Sequence, residues 1–517
     1  MTIVGSLLKR GIGLTAVIQR PKNNLAKLQK KTLIKLLNKA RFTQFGEKYH
    51  FEEIMNSALF SKDKEFYTKY KNNVPVYDYN KMYHEWWHKT HAGEKNVSWP
   101  GKVKYFALSS GTSEAASKHI PVTKDMVKAI HRTSIRQILS LSAYKNLPAQ
   151  LYEKGYLMLG GSTKLQDMGS YFEGDLSGIT AGKIPFWFER FYKPGKKIAE
   201  TRDWSEKLDK ITQKAKDWDI GFIVGVPAWI QVLMEKIIKE YGVKNIHEVW
   251  PNLEIFCHGG VSFEPYKQGF EKLLGRPITY IETYLASEGF LAYQTHPDSD
   301  MRLVLNNGIF FEFVPFNDDN FDADGVMANK PETLMIDEVE EGKEYALLIS
   351  TVSGAWRYLI GDTIKFTNKK NAEIIITGRT KHFLSLCGEH LSVDNMNKAI
   401  ELASKHFGID IREFTVVGKK VANTFAHHWY VGTDDTVDAQ ALTLFIDQTL
   451  SEINDDYPVE RKHALKEMAV NVFPASTFYD FMEAKGKTGG QHKFPRVLKK
   501  QDQITEWESF LAKRKAY

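Results

Sequence analysis

The sequence lacks several features that would fix its class at once. It has no run of 18 apolar residues, the length that crosses a bilayer, so no transmembrane helix and no stable membrane insertion are expected. Cysteine is scarce. The 517 residues contain two, Cys257 and Cys387, too far apart for a metal-ligand spacing, which suggests a reducing, cytoplasmic setting without a disulfide framework. The segment Met1 to Arg20 carries basic residues but no compact apolar core closed by small residues, so no secretory signal is expected. Internal repeats and low-complexity tracts are missing. Acidic residues are absent before Glu47, whereas ten Lys/Arg precede it. The net charge of +7 is modest for this length, and no nucleic-acid partner is expected.

What is present is globular. Hydrophobic content is 43% and charged content 26%, the balance of a folded protein with a substantial core, and the length predicts two or three domains. Leu25, Leu28, Leu33, Leu36 and Leu37 recur at helical spacing, so the early lysines read as the wet side of a core helix. Residues 1–100 read as helices with polar breaks, and 124–143 as a helix. Residues 155–200 are rich in glycine, aromatics and turns and give no clear pattern. Phe222-Ile223-Val224-Gly225-Val226 reads as a buried strand. Pro227 then starts a helix that Gly242 ends. Strand candidates around 253–257 and 278–281 follow, each closed by a polar or glycine-rich loop. This alternation predicts an α/β sheet with ligands at the strand ends. After 300 the pattern turns β-rich. From 378 a smaller α+β unit is expected, with helices at 393–406 and 437–453 and strands at 412–417 and 467–473.

Four stretches could converge on one ligand. The first is Ser109-Ser110-Gly111-Thr112-Ser113 with Lys118, after the strand-like Tyr105–Leu108. Hydroxyls, backbone N–H groups and one ammonium suit a polyphosphate. This stretch is neither a Walker loop nor a G-x-G-x-x-G fingerprint. The second is His258-Gly259-Gly260, where glycines let a flat ring approach the backbone. The third is Tyr284-Leu285-Ala286-Ser287-Glu288-Gly289, with an aromatic face and one carboxylate. The fourth is Trp356 to Asp362, whose carboxylate can accept two ribose hydroxyls.

The chain resembles the auxin-responsive (Gretchen Hagen) acyl acid amido synthetases of the adenylate-forming, firefly luciferase-like superfamily. The resemblance rests on Ser109–Ser113 with Lys118-His119-Ile120-Pro121, on Tyr284–Gly289 and on Arg357-Tyr358-Leu359-Ile360-Gly361-Asp362. Weaker echoes include Val74-Pro75-Val76 with Tyr79, Gly378-Arg379 and Gln491-His492-Lys493-Phe494-Pro495-Arg496. Three departures stand out: Ala115 where the family usually has a second glycine, Leu359 where a second arginine is common, and Thr363 after the Asp. The resemblance implies a large nucleotide- and acyl-binding domain over 1–377 and a small mobile lid domain over 378–517. It implies that Ser109, Ser110, Gly111, Thr112, Ser113 and Lys118 hold the ATP phosphates. Gly259, Gly260, Tyr284 and Ser287 would flank the nucleotide, Glu288 would help hold Mg²⁺, and Asp362 would hold the ribose. Arg379 would start the interdomain hinge, and Lys493 would enter the site from the small domain. The implied reaction activates a carboxylic acid as its adenylate and passes the acyl group to an amino acid, with release of pyrophosphate and AMP, on a monomer. An acyl-CoA ligase would share the first half-reaction. The acyl pocket is expected among residues 130–190 and 222–235.

Overall fold

The computed structural model describes residues 24–515 apart from 59–62, 110–117, 185–188, 261–262, 318, 323–324, 381–382, 385, 388, 390, 422–423, 455, 486–493 and 499–500. The described residues form two compact units, one of residues 24–109 and 118–380, the other of residues 381–515.

In the first unit the helix Leu25–Ala40 is capped by the Asn24 side chain, which accepts from the Ala26 N–H at 2.9 Å. Leu33, Leu36 and Leu37 are buried, while Lys27, Lys31, Lys35 and Lys39 are exposed, as the periodicity predicts. Gln29 fixes the helix to the main sheet. Its Nε2 donates to the carbonyls of Leu305 and Ile309, and its Oε1 accepts from the Phe311 N–H at 2.7 Å.

That sheet has eleven strands in the order Ile309–Pro315, Glu344–Thr351, Tyr358–Asn368, Glu373–Arg379, Met301–Leu303, Gly289–Gln294, Thr279–Ala286, Ile255–Gly259, Ile220–Gly225, Gly155–Met158 and Tyr192–Lys193. The last five are mutually parallel. The helix Pro227–Tyr241 lies in the crossover between two of them, with Pro227 in its first turn and Gly242 left-handed at its end, where the sequence places both. The other strands are antiparallel. A second sheet of four short strands joins Tyr105–Ser109 to Lys118–Val122 as a hairpin and adds Phe172–Gly174 and Gln166–Asp167.

The second unit is α+β. Its four-stranded sheet runs Leu465–Phe473, Thr424–Thr433, Ile411–Val421, Val497–Leu498, with the helices Val393–Phe407 and Ala439–Ile453. A core of Val417, Tyr430, Phe478, Phe494 and Trp507 lies within it. The α/β expectation thus holds, with a β-rich part in the first unit. Among the described residues no helix is long and apolar enough to cross a membrane, and both cysteines are free.

Candidate functional site

The turn that carries Glu288 follows from strand register. Ala286 pairs with Gly289 across the hairpin of Thr279–Ala286 and Gly289–Gln294, which leaves Ser287 and Glu288 as a two-residue loop of the kind that joins antiparallel strands. Glu288 is nevertheless buried, at 8% exposure. Burial raises its carboxyl above the usual range and Lys118 pulls it back; Asp362 also raises it and Arg379 also lowers it. Burial, then the Glu288 charge, holds the Tyr358 phenol well above its ordinary range.

Asp362 and Arg379 are direct cross-strand partners, and the guanidinium Nε lies 3.1 Å from Asp362 Oδ1. The Tyr284 hydroxyl donates to Asp362 Oδ2 in a short hydrogen bond. Burial, then the Asp362 charge, holds this phenol well above its ordinary range, so it stays a donor. A carboxylate has about four acceptor positions. Tyr284 and Arg379 engage both oxygens of Asp362 without exhausting them, and the side chain remains 14% exposed.

Lys118 is the first residue of the returning strand, opposite Ser109. Its Nζ lies 5.4 Å from the centroid of the Tyr79 ring, and the Tyr79 hydroxyl accepts from the His119 N–H at 2.9 Å. Gly259 ends a parallel strand opposite Thr283. A Cβ there would sit 2.3 Å from the Thr283 carbonyl oxygen, so only glycine lets the strands close. Gly260 has φ +86°, a left-handed conformation that also favours glycine.

Lys118, Tyr284, Glu288, Asp362 and Arg379 are therefore brought together, with Gly259 on the strand beside Tyr284. Ser110, Gly111, Thr112, Ser113 and Lys493 lie outside the described residues. Two members of the cluster, Tyr79 and Tyr358, were given no role from the sequence. Tyr358 was legible, since it lies inside the motif that ends in Asp362. Leu359, at the departure from the family motif, packs with Val76, Val314, Phe321, Ala346 and Leu348.

Arg357 of the same motif is no part of this cluster. It is 4% exposed and ion-paired to the fully buried Glu312. It also donates to the carbonyls of Lys71 and Val74 and to Thr333.

The first unit thus combines a parallel α/β sheet with an antiparallel extension, and gathers acids and bases at the turn Ser287-Glu288 and on the strand pair that carries Asp362 and Arg379. The fold is that of a solved GH3.15 acyl acid amido synthetase (TM-score 0.59, 16% identity, 97% of this chain and 96% of that one). It is equally close to a 2-hydroxyisobutyryl-CoA ligase solved with 2-HIB-AMP and CoA (TM-score 0.59, 13% identity, 96% and 93%). The models of the GH3 family N-terminal, central and C-terminal domains match residues 15–206 and 164–278, 302–377 and 394–502, and the chain belongs to the GH3 family. Its curated relatives include indole-3-acetic acid-amido synthetase GH3.4 of Arabidopsis thaliana, 25% identical over 278 residues, 49% of this chain and 45% of that one. Jasmonoyl–L-amino acid synthetase JAR4 of Nicotiana attenuata is 28% identical over 173 residues, 32% and 28%. The chain thus matches less than half the length of these two relatives.

Proposed function

We propose that this protein is an ATP- and Mg²⁺-dependent acyl acid amido synthetase. It would activate a carboxylic acid as the acyl adenylate and conjugate it to an amino acid, with release of pyrophosphate and then AMP. The observation that carries this reading is the cluster itself, in which Lys118, Glu288 and Asp362 adjoin one another in a GH3 chain. Lys118, with the hydroxyls of Ser109, Ser110, Thr112 and Ser113 and the backbone at Gly111, would offset the negative charge that otherwise repels an incoming carboxylate. Asp362, oriented by Tyr284 and Arg379, would accept from the ribose hydroxyls. Gly259, Gly260 and Ser287 would complete the nucleotide contacts. Glu288 fits Mg²⁺, a hard cation that takes one or two carboxylate oxygens and fills its shell from phosphate and water. Bound there, the ion would polarise the phosphoryl oxygens. Residues 378–517, with Arg379 at the start of the hinge, would act as the closing domain that keeps water from the adenylate. We place the reaction in the cytoplasm, on a monomer with small acids and amino acids as its partners.

The test is pyrophosphate release against a panel of carboxylic acids, each with and without mixed amino acids and with and without coenzyme A. Acid-dependent release followed by amide formation supports the assignment. Thioester formation would select the acyl-CoA ligase, which shares the adenylation half-reaction. ATP binding without acid-dependent pyrophosphate release would remove both.

Glu288 gives a pH prediction. Its carboxyl is raised by burial. As pH falls through that raised value the group protonates and loses the charge that attracts a cation. The Mg²⁺ concentration needed for half-maximal adenylation should therefore rise from neutral to mildly acidic pH. Glu288→Gln should need more Mg²⁺ near neutral pH, approach the wild type as pH falls, and show a flatter profile. Superimposable metal titrations of the two proteins would place the ion elsewhere.

Lys493, in the motif Gln491–Arg496, carries a prediction from the resemblance. Lys493→Ala should slow adenylation by about 10²–10³-fold, the cost of losing one preorganised charge at the reacting group. Amide formation from a pre-made acyl adenylate should change far less. Equal losses in both half-reactions, or none in either, would end that assignment.

A further inference from the structure

Beside the nucleotide cluster, and sharing with it the strand Lys118–Val122, the fold assembles a second constellation that the proposed reaction does not use. His91, His119 and Glu173 each offer one ligand atom, and these atoms all lie within 4.8 Å of one another. Strand register explains two of them. His119 faces Leu108 and Glu173 faces Phe106 across the shared strand Tyr105–Ser109. Phe106 and Leu108 are two residues apart, so all four side chains point to one face of the sheet.

His91 arrives from the helical segment above that face. Its ring centroid lies 4.9 Å from that of Phe106 and 4.5 Å from those of His119 and Tyr171. The segment contains a π-helical turn, Tyr83–Trp87, before His88–His91. Such turns are rare and concentrate at functional sites. This one sets the Tyr83 hydroxyl 3.0 Å from His91 Nδ1. The tautomer in which Nδ1–H donates to that oxygen leaves the Nε2 lone pair free.

Two atoms of this cluster lack a hydrogen-bond partner although they are buried: His91 Nε2 and Glu173 Oε2. Glu173 is 8% exposed. Its Oε2 lies 3.2 Å from His119 Nε2 without forming a hydrogen bond to it. Buried polar atoms are almost always satisfied. Here the two orphans and the His119 imidazole converge, and a cation at their centre would satisfy all three.

We propose that His91, His119 and Glu173 form a site for one divalent transition-metal ion of the Zn²⁺ class. Two imidazoles and a carboxylate suit such ions, whereas Mg²⁺ prefers an all-oxygen shell. Tyr83 is the outer partner that fixes the His91 tautomer, as metal-bound histidines generally require. Water fills the remaining coordination. The ion would tie the helical segment to two strands of the small sheet. His119 follows Lys118 directly, so the ion would also anchor the strand that carries that lysine.

The test uses the full-length chain without a tag, stripped by a chelator and dialysed against Zn²⁺ or Co²⁺. The expected result is about one ion per chain, with visible Co²⁺ d–d bands of a low-coordinate nitrogen/oxygen site that Zn²⁺ abolishes and excess Mg²⁺ does not. His91→Gln and Glu173→Gln should lose the stoichiometric ion. Tyr83→Phe should keep the ligands but bind about 10–100-fold more weakly. Circular dichroism of the metal-free variants checks folding, and if a ligand variant does not fold, the wild-type spectrum and Tyr83→Phe decide. Substoichiometric binding by the wild type, or equal affinity in the wild type and every folded variant, would overturn the site.

Discussion

Replacing Glu312 by alanine should destabilise the first unit by about 3–5 kcal/mol, the range for leaving one member of a buried ion pair without its partner. The partner is Arg357, whose Nε lies 3.0 and 3.1 Å from the two carboxylate oxygens. Tyr67 donates a further hydrogen bond to Glu312 at 2.8 Å. Removing the carboxylate therefore strands a guanidinium at 4% exposure and a phenol at 3%. Arg357→Lys should also be costly, because an ammonium cannot reproduce the fork that serves Glu312, the Lys71 and Val74 carbonyls and Thr333 together. The pair Glu312→Leu with Arg357→Met should recover only part of the loss. It removes the buried charges but leaves those two carbonyls without a donor. Urea unfolding followed by tryptophan fluorescence reads this out, since Trp356 is fully buried next to Arg357 in the chain. A Glu312→Ala midpoint within error of the wild type would show that the ion pair is not what joins residues 71–77 to the strand Tyr358–Asn368.

This ion pair marks where reading the sequence stopped short. The motif from Trp356 to Asp362 reads as a ligand loop, yet its arginine turns inward to hold the fold while Asp362, five residues on, joins the cluster. Spacing alone does not separate the two roles; the acid that decides them, Glu312, lies 45 residues earlier. The helix Pro227–Tyr241 was legible because Pro227, the apolar periodicity and Gly242 are local signals. The short strands Gln166–Asp167 and Phe172–Gly174 were not, because distant pairing rather than composition makes them strands. Thr424–Thr433, an inner strand of the second unit's sheet, was missed because Ala426-His427-His428-Trp429 breaks the apolar run. His427 is fully buried there, with its Nε2 2.9 Å from Glu389 Oε1. The metal candidate had no sequence signature either: His91, His119 and Glu173 come from a helix and two strands that meet only in the fold.

Asp362→Ala should lower kcat/KM for ATP in adenylation by roughly 10–150-fold. That is the cost of a hydrogen bond to a charged group, about 1.5–3 kcal/mol, at 1.4 kcal/mol per factor of ten. The fold should survive, because Asp362 is only partly buried and sits beside Arg379, itself 28% exposed. A loss of this size could also come from disordering Tyr284 and Arg379, so nucleotide analogues separate the two causes. If Asp362 accepts from the ribose, wild-type enzyme should use ATP much better than 2′-deoxy- or 3′-deoxy-ATP, and Asp362→Ala should use all three about equally. Tyr284→Phe removes the hydroxyl that holds Asp362 Oδ2 but leaves the carboxylate. It should weaken ATP use less and keep most of the discrimination between ATP and its deoxy analogues. Should Asp362→Ala still prefer ATP over both analogues by the wild-type ratio, the carboxylate does not read the ribose. Its part would then be confined to holding Tyr284 and Arg379 in place.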